Sequence, residues 1–280
     1  MPTPAPRSGD RAAPRLRYPD DHWARRAPTD EHLADYLGRA DTYNLTKVRV
    51  FERLLGADLR GIQILDYGGG AGFMAVRCAE LGARVTLADA EPNALATARL
   101  LAAKRGVDNR VATICSEAFP RELQARRFDV VILKDVLEHI PDDGALLRSL
   151  AGCQDAGGRL LLCTHSTWSL NFLLEGSYKR WWCGEKHWLG WDMTHLRFYT
   201  PRSLRRLLRG AGYVTRRWCG LYILPYQLLS SFRLDVLHKI DLWFGHLFPL
   251  NRLGWNVVIE AVRSPGSGRV GPPARRSPRT

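Results

Sequence analysis

The stretch Ile64–Phe73, "ILDYGGGAGF", places four glycines within five positions, directly after an apolar run. Glycine has no Cβ, so a backbone this bare can turn sharply and lets a ligand approach the main chain closely. The apolar run contains an acid, and the order reads D-x-G-x-G-x-G over Asp66, Gly68, Gly70 and Gly72. The stretch is therefore typical of a strand, a tight turn and a helix at the ligand-binding edge of a sheet.

The spacing of these glycines argues against a dinucleotide site. The fingerprint G-x-G-x-x-G requires a third glycine where this chain has Phe73. An acid at the strand end also disfavours a pyrophosphate nearby and favours a ligand with a positive centre or with hydroxyl and ammonium donors. A nicotinamide oxidoreductase is thus disfavoured.

Short apolar segments alternate with helical patterns along most of the chain. In order, the expected strands are "GIQILDYG", "RVTLADA", "RVATIC", "FDVVILKD", "GGRLLLCTHS", "YVTRRWCG" and "GWNVVIEAVR". Nearly continuous apolar strands that alternate with helices indicate a parallel sheet covered on both faces. The sequence predicts an α/β fold with a doubly wound, Rossmann-like sheet of seven mostly parallel strands. We expect a lid insertion after strand 5, residues 165–199, and an amphipathic helical insertion before strand 7, residues 220–253.

Charge and composition suggest how the chain is divided. Of the net charge of +13, residues 1–29 carry six Arg against three Asp, and residues 264–280 carry four Arg and no acid. Pro, Gly, Ser and Arg without periodicity are typical of disorder, so we expect two disordered basic tails around one domain at 30–263. Apolar runs of about 18 residues are absent, which argues against a membrane span and, with the Arg-rich N-terminus, indicates a cytoplasmic protein. The six cysteines form no C-x-x-C pair, and buried reduced thiols are expected.

Four segments in the expected order resemble the class I S-adenosylmethionine-dependent methyltransferases. They are "ILDYGGGAGF", "VTLADAEPNALATAR", "FDVVILKDVLEHIPDD" with the following "GGRLLLCTHS", and "HLRFYTPRSLRRLLRGAGY". The last is similar to a segment of the branch that includes ubiquinone-pathway O-methyltransferases. The resemblance covers roughly residues 40–263 and implies S-adenosyl-L-methionine as the cofactor.

The resemblance implies a role for each matching residue. Asp66 and the glycine backbone face the methionine part of the cofactor, Asp89 accepts hydrogen bonds from the ribose hydroxyls, and Glu117 lies near the adenine amino group. Leu133 and Lys134 line the sulfonium pocket, with Lys134 pairing with the cofactor carboxylate or with Asp135. The implied cofactor set is Asp66, Gly68, Gly69, Gly70, Gly72, Asp89, Ala90, Glu117, Leu133, Lys134 and Tyr43, and Lys47 joins Tyr43 near the carboxylate end. Two structural alternatives stay open: Asp66 as a helix cap and Asp89 as a turn residue.

Methyl transfer to a phenol or alcohol requires that the acceptor lose a proton. His195 and His139 are the candidate general bases, because imidazole titrates near neutral pH. For both, and for Glu138, a purely structural role stays open. No metal is expected, since Cys183, His187 and His195 have no recognised ligand spacing and lack a fourth partner.

The two insertions carry the information about the acceptor. Trp181, Trp182, Trp188 and Trp191 lie among Lys and Arg, while apolar residues recur at helical spacing at Leu229, Phe232, Val236, Ile240, Trp243 and Leu247. These patterns fit a small-molecule or lipid-linked acceptor and a membrane surface as partner, but core cover and dimerisation stay open as alternatives. We expect methyl transfer to oxygen. An RNA methyltransferase is disfavoured because no RNA-binding module is visible, and a non-catalytic scaffold is disfavoured by the intact acids.

Overall fold

The structure is a computed structural model that describes residues 22–38, 42–190, 192, 194–224 and 234–265. For residues 42–43 and 234–238 it describes the backbone alone.

The described strands form one seven-stranded sheet with the order β3-β2-β1-β4-β5-β7-β6. Strand β7 is antiparallel to both of its neighbours, and the other pairs are parallel. The strands are β1 (Gln63–Tyr67), β2 (Arg84–Asp89), β3 (Val111–Cys115), β4 (Val130–Lys134), β5 (Arg159–His165), β6 (Tyr213–Leu221) and β7 (Asn256–Arg263). The predicted Rossmann-like sheet is therefore confirmed. Its order reverses between β1 and β4, which creates the crevice where such sheets bind ligands.

Helices cover both faces of the sheet, and local sequence explains where several of them begin. Helix α4 begins with Pro92 behind a Glu91 cap, and the Thr200–Ser203 capping box begins α8. The helices are α1 (Asp30–Gly38), α2 (Thr42–Leu55), α3 (Phe73–Glu80), α4 (Pro92–Lys104), α5 (Arg121–Gln124), α6 (Asp143–Gly152), α7 (Leu170–Trp181), α8 (Pro201–Gly210) and α9 (Leu234–Phe244).

The core consists of two apolar layers separated by the sheet. One layer includes Leu87 and Ile132, and the other includes Leu65 and Leu162, all with no exposed surface. Successive residues of a strand point to opposite faces, so a strand that is buried on both faces must be apolar throughout. This requirement explains the continuous apolar runs in the sequence, and it brings the polar residues at the strand ends to one edge.

Three features differ from the sequence-based expectations. Residues 22–29, assigned to the basic tail, include a short 3-10 helix at Trp23–Arg25, and Trp23 stacks on Tyr36 with the ring centroids 5.1 Å apart. The tails at 1–21 and 266–280 lie outside the described residues.

Cys115 and Cys183 are exposed and Cys219 is partly exposed, because they lie at sheet edges or in the lid. The expectation of buried thiols therefore holds only for Cys78, Cys153 and Cys163.

The helical insertion also packs differently from its predicted apolar stripe. Trp243 and Leu247 are exposed, whereas Asp241 is buried and accepts hydrogen bonds from the backbone N–H groups of Tyr222 and Ile223 at 2.6 and 3.1 Å. Leu229 and Phe232 lie outside the described residues, as does the side chain of Val236. Helix α9 is thus fixed to the end of β6 through a carboxylate. None of the described helices combines the length and the apolar character that crossing a bilayer requires.

Candidate functional site

The glycine turn connects β1 to α3 at the carboxyl edge of the sheet. Gly68, Gly70 and Gly72 all have positive φ angles, which favour glycine. A Cβ on Gly69 would lie 2.5 Å from both Asp66 Oδ2 and Leu87 Cδ1, so this turn is packed directly against the acid. The backbone therefore requires the glycines that the sequence places here.

Asp66 is a buried carboxylate without an ordinary partner. Its exposed fraction is 1%, and neither carboxylate oxygen makes a hydrogen bond of ordinary geometry with a described residue. Burial raises the pKa of Asp66 to about 7, against the lowering influence of Lys134. The neighbouring Tyr67 hydroxyl is also buried without a hydrogen-bond partner among the described residues. Unpaired buried polar atoms are costly, so their presence beside the glycine turn fits a ligand that supplies cationic and polar groups.

Asp89 ends the next strand and faces the same turn. Its Oδ2 accepts a hydrogen bond from the N–H of Gly70 at 2.8 Å, and its Oδ1 accepts one from the N–H of Glu91 at 3.0 Å. Asp89 therefore also has the structural role that the sequence left open. Ala90 follows it and is half-buried, while Glu117 is exposed in the connection after β3.

Asp135 is the centre of a charged cluster at the end of β4. Its Oδ2 lies 2.8 Å from Lys47 Nζ and 3.2 Å from Lys134 Nζ. Burial works against ionisation, but Lys47 and Lys134 hold the pKa of Asp135 well below its usual value, and Asp135 raises the pKa of Lys47. The φ angle of Asp135 is 57°, an uncommon conformation for a residue other than glycine. This strained, charged position at the crevice is a candidate ligand contact.

The structure tests the placement of two further implied cofactor residues, Leu133 and Lys134, and only Leu133 differs from the expectation. Leu133 lies within β4 with its side chain fully buried in the core, so only its backbone reaches the strand end. Lys134 is the last residue of β4 and makes the expected pair with Asp135. The side chain of Tyr43 lies outside the described residues.

A cluster of three imidazoles lies beside this charged group. The ring centroid of His195 is 4.9 Å from that of His139 and 4.7 Å from that of His165. The fully buried Glu138 accepts hydrogen bonds from His165 Nδ1 and Thr164 Oγ1, each at 2.8 Å. Although burial works against its ionisation, the hydrogen bond and charge of His165 hold the pKa of Glu138 below its usual value. The structure therefore brings both predicted bases together.

The hydrogen bonds of His195 define how it can act. Its Nδ1 lies 2.8 Å from the carbonyl oxygen of Leu189, which only a protonated Nδ1 can approach as a donor. In the neutral ring, Nε2 therefore carries the lone pair. Burial, followed by the charge of His165, lowers the pKa of His195 and favours this neutral form. His139 Nδ1 lies 2.9 Å from Thr194 Oγ1, a contact that joins the His139 ring to the lid segment that carries His195.

Some of these side chains are also close enough to share a metal ion. Among the described residues, the donor atoms of Glu138, His165 and His195 lie within 4.8 Å of one another, and so do those of His139, Asp192 and His195. Cys183 and His187 belong to neither group and are exposed.

Several site residues were missed or undervalued in the sequence. His165 ends β5 in "LLLCTHS", and its place at a strand end was the available signal. Tyr36 lies far from any motif, yet its hydroxyl is close enough to Lys134 and Asp66 to feel their charges, and burial raises its pKa to about 12. Only the fold brings Tyr36 to the glycine turn.

Comparisons with known proteins agree with this geometry. Residues 37–217 match the model of a methyltransferase domain family. The chain is 37% identical over 182 residues to the ubiquinone biosynthesis O-methyltransferase of Methylocella silvestris, covering 63% of this chain and 67% of the relative. It is 32% identical over 193 residues to the protein of that name from Idiomarina loihiensis, covering 66% and 75%. The chain belongs to the methyltransferase domain family and is a class I S-adenosylmethionine-dependent methyltransferase.

Solved structures share the fold at low sequence identity. Magnesium protoporphyrin IX methyltransferase from Synechocystis PCC 6803, with bound S-adenosylhomocysteine, aligns with a TM-score of 0.54 and 20% identity over 78% of this chain and 82% of its own. The 4+2 cyclase SpnF aligns with a TM-score of 0.53 and 17% identity, over the same shares of the two chains. Since one neighbour is named as a cyclase, the fold alone does not define the acceptor chemistry.

Proposed function

We propose that this chain transfers a methyl group from S-adenosyl-L-methionine to a hydroxyl oxygen of a small-molecule or lipid-linked acceptor. The observation that carries the choice of oxygen is the imidazole cluster at the crevice, with a carboxylate behind it. A hydroxyl must lose a proton to become a good nucleophile, and a positioned imidazole accepts it. Relatives named as O-methyltransferases in ubiquinone biosynthesis support the same acceptor class.

The residues around the glycine turn are suited to hold the cofactor. Asp66 would face its ammonium group, Asp89 its ribose hydroxyls, and Lys134 its carboxylate, with Glu117 and Ala90 on the adenine side. When bound, S-adenosylmethionine supplies a methyl group activated by a positive sulfur. The protein then needs to align the acceptor and exclude water.

His195 is the proposed general base. Its Nδ1 is occupied by the Leu189 carbonyl, so Nε2 is the atom that takes the proton from the acceptor hydroxyl. Glu138 and His165 position this ring from the core side, and the negative charge of Glu138 stabilises the imidazolium that forms. His139 packs on the other side of His195 and can pass the proton toward solvent.

The test is a kinetic comparison of two lid histidines. We expect His195→Ala to lower kcat by about 10²–10⁴-fold, the usual contribution of a general base, while the Kd for S-adenosylhomocysteine stays unchanged. His187→Ala, at an exposed position of the same segment, serves as the matched control and should keep full activity. Equal turnover in the His195 variant removes the assignment. Activity that disappears with a chelator and returns with a divalent cation assigns the cluster to metal binding instead.

We also propose that the lid and the helical insertion contact a membrane surface. Trp181 and Trp182 are 87% and 83% exposed, and Trp243 and Phe248 are 70% and 71% exposed. Tryptophan and phenylalanine beside basic residues are typical of interfacial anchors. Trp188, by contrast, is buried against Phe172, so the lid keeps part of its aromatic residues for its own core.

A flotation assay with neutral phosphatidylcholine vesicles tests this contact. Trp181→Ser with Trp182→Ser should lower vesicle binding, since both side chains lie in solvent and can be removed without opening the core. The control, Trp188→Ser, removes a buried ring and should lower the melting temperature instead. If the full chain stays out of the vesicle fraction, the proposed membrane contact of the exposed aromatic residues is wrong.

A further inference from the structure

A basic groove lies at the outer edge of the sheet, on strand β6. It encloses a cavity of about 810 Å³, and its lining includes residues of α2, α8, β6, α9 and β7. Five arginines line it: Arg53, Arg205, Arg209, Arg216 and Arg217. We call this feature the arginine groove. The methyl-transfer site proposed above uses none of its residues.

The positive charge of the arginine groove is poorly balanced. None of its described lining residues is acidic. Arg217 contacts Glu260 at 3.3 Å, but that carboxylate is shared with Arg159 at 2.8 Å. Arg209 and Arg216 are exposed and make no hydrogen bond or ion pair with the described residues. Among the described residues, this shared carboxylate is thus the only ion-pair partner of the five lining arginines.

The crowding of these cations extends to the adjacent turn. Burial, together with the charges of Arg252 and Arg209, lowers the pKa of Arg205, whose guanidinium carbon lies 5.3 Å from the centre of the Trp218 ring. The guanidinium carbon of Arg252 lies 4.8 Å from the centre of the exposed Phe248 ring. The arginine groove is therefore continuous with the aromatic surface next to α9.

Apolar side chains form the floor beneath the charged rim. Val50, Leu54, Leu242 and Val258 line the same cavity, and they come from α2, α9 and β7. A ligand that matches both parts needs an anionic head and an apolar body. Guanidinium groups favour phosphate in particular, because their forked N–H donors match its oxygens.

We propose that the arginine groove binds the headgroup of an anionic phospholipid, with part of its acyl region on the apolar floor. Charge complementarity, the apolar floor and the exposed Phe248 beside Arg252 favour this occupant over a nucleic acid. A half-enclosed cavity of this size accommodates one headgroup, whereas a nucleic acid needs an extended basic track. Binding here would hold the protein at an anionic bilayer, and its readout does not depend on methyl transfer.

The first test compares flotation with phosphatidylcholine vesicles with and without phosphatidylglycerol. Arg209→Gln with Arg216→Gln removes two unpaired charges from the groove. We expect about a thirtyfold loss of the phosphatidylglycerol-dependent binding, since each basic side chain near an anionic surface contributes about fivefold. Arg202→Gln with Arg206→Gln is the matched control, because both residues are exposed on α8, the helix that carries Arg209, and neither lines the groove. The melting temperature of each variant checks that it is folded.

The outcomes separate the groove from a diffuse basic surface. An equal loss in the control variant overturns the proposal, because charge alone then explains binding. Undiminished binding by the groove variant also overturns it, and leaves protection of the sheet edge as the role of the arginines.

The second test identifies the ligand. Dihexanoyl-phosphatidylglycerol, titrated as a dispersed monomer, should bind the full chain and not the Arg209→Gln, Arg216→Gln variant. Glycerol phosphate and inorganic phosphate should bind far more weakly; equal binding of either one assigns the groove to a free phosphate and overturns the lipid. Groove-dependent binding of tRNA without binding of the lipid overturns it in favour of nucleic acid.

Discussion

Replacement of Asp66 by Asn tests whether the protein keeps a destabilising charge for its ligand. The pKa of Asp66 lies at about 7, against 3.8 for an ordinary aspartate, because the carboxylate is buried. A difference of about three pH units corresponds to about 4 kcal/mol at 1.36 kcal/mol per unit. This is the order of magnitude by which the ligand-free fold is destabilised once Asp66 must ionise.

The sign of the pH dependence follows from the raised pKa. Between about pH 4 and pH 7 the unfolded chain loses the Asp66 proton while the folded chain keeps it. The contribution of Asp66 to the free energy of unfolding therefore falls as the pH rises through this window and is constant above it. Asp66→Asn removes this slope and should stabilise the ligand-free protein above pH 7 by up to about 4 kcal/mol.

The same substitution should weaken cofactor binding. The loss of a charge-assisted contact costs about 2 kcal/mol, or about thirtyfold in the Kd for S-adenosylhomocysteine. In the unchanged protein this affinity should rise with pH up to about 7, the pKa at which Asp66 of the ligand-free protein loses its proton, whereas in the variant it should not. Calorimetry and thermal unfolding across pH measure both effects, with Asp155→Asn, at an exposed position, as the control. If the variant binds as tightly as the original protein, or is less stable above pH 7, Asp66 is not a destabilising charge kept for the cofactor.

Three further substitutions probe the surrounding architecture. Gly69→Ala should lower the free energy of unfolding, measured with urea, by about 1–3 kcal/mol and should weaken cofactor binding, because its Cβ would lie 2.5 Å from atoms of Asp66 and Leu87. The control is Gly152→Ala, whose Cβ meets nothing within 4 Å and which should leave the stability unchanged. Lys47→Met breaks a buried ion pair and should lower the free energy of unfolding by about 3 kcal/mol. This value is the lower end of the range for such pairs, because Asp135 keeps its ion pair with Lys134. Lys104→Met breaks an exposed ion pair and should change the free energy of unfolding by less than about 1 kcal/mol. Burial raises the pKa of Asp241 to about 6, so the original protein should lose stability as the pH rises from about 4 to 6. Asp241→Asn should remove this part of the pH dependence of the free energy of unfolding. An unchanged slope in the variant contradicts the raised pKa of Asp241.

The sheet and the glycine turn could be predicted from sequence because their causes are local. Each strand is buried on both faces and must be apolar throughout, and the turn needs glycine at Gly68, Gly70 and Gly72. The proximity of Asp66 and Asp89 could also be predicted, because these residues lie at or next to the ends of neighbouring parallel strands. Strand ends meet at one edge, so spacing alone brings such residues together.

The remainder of the site depends on contacts between distant segments. Lys47 and Asp135 are 88 positions apart, and Glu138 and His165 are 27 apart, so no periodicity reports either pair. Helix α9 shows a related limit, because its predicted apolar stripe includes Trp243, which the structure exposes, and omits Asp241, which it buries. Helical spacing identifies the apolar residues that share one face of a helix, but the elements packed around the helix determine which face is buried.

The atom that carries the transferred methyl group shows most directly whether this chain methylates a hydroxyl. The full chain would be incubated with S-adenosylmethionine carrying carbon-13 in its methyl group, together with lipid and polar extracts of cells, and products would be read by nuclear magnetic resonance. We expect a labelled methyl on oxygen in the lipid or the polar extract, formed at subsaturating S-adenosylmethionine far more slowly by the Asp66→Asn and His195→Ala variants and at the full rate by His187→Ala. A label on nitrogen or carbon, or O-methylation at the full rate by His195→Ala, would contradict the proposed function.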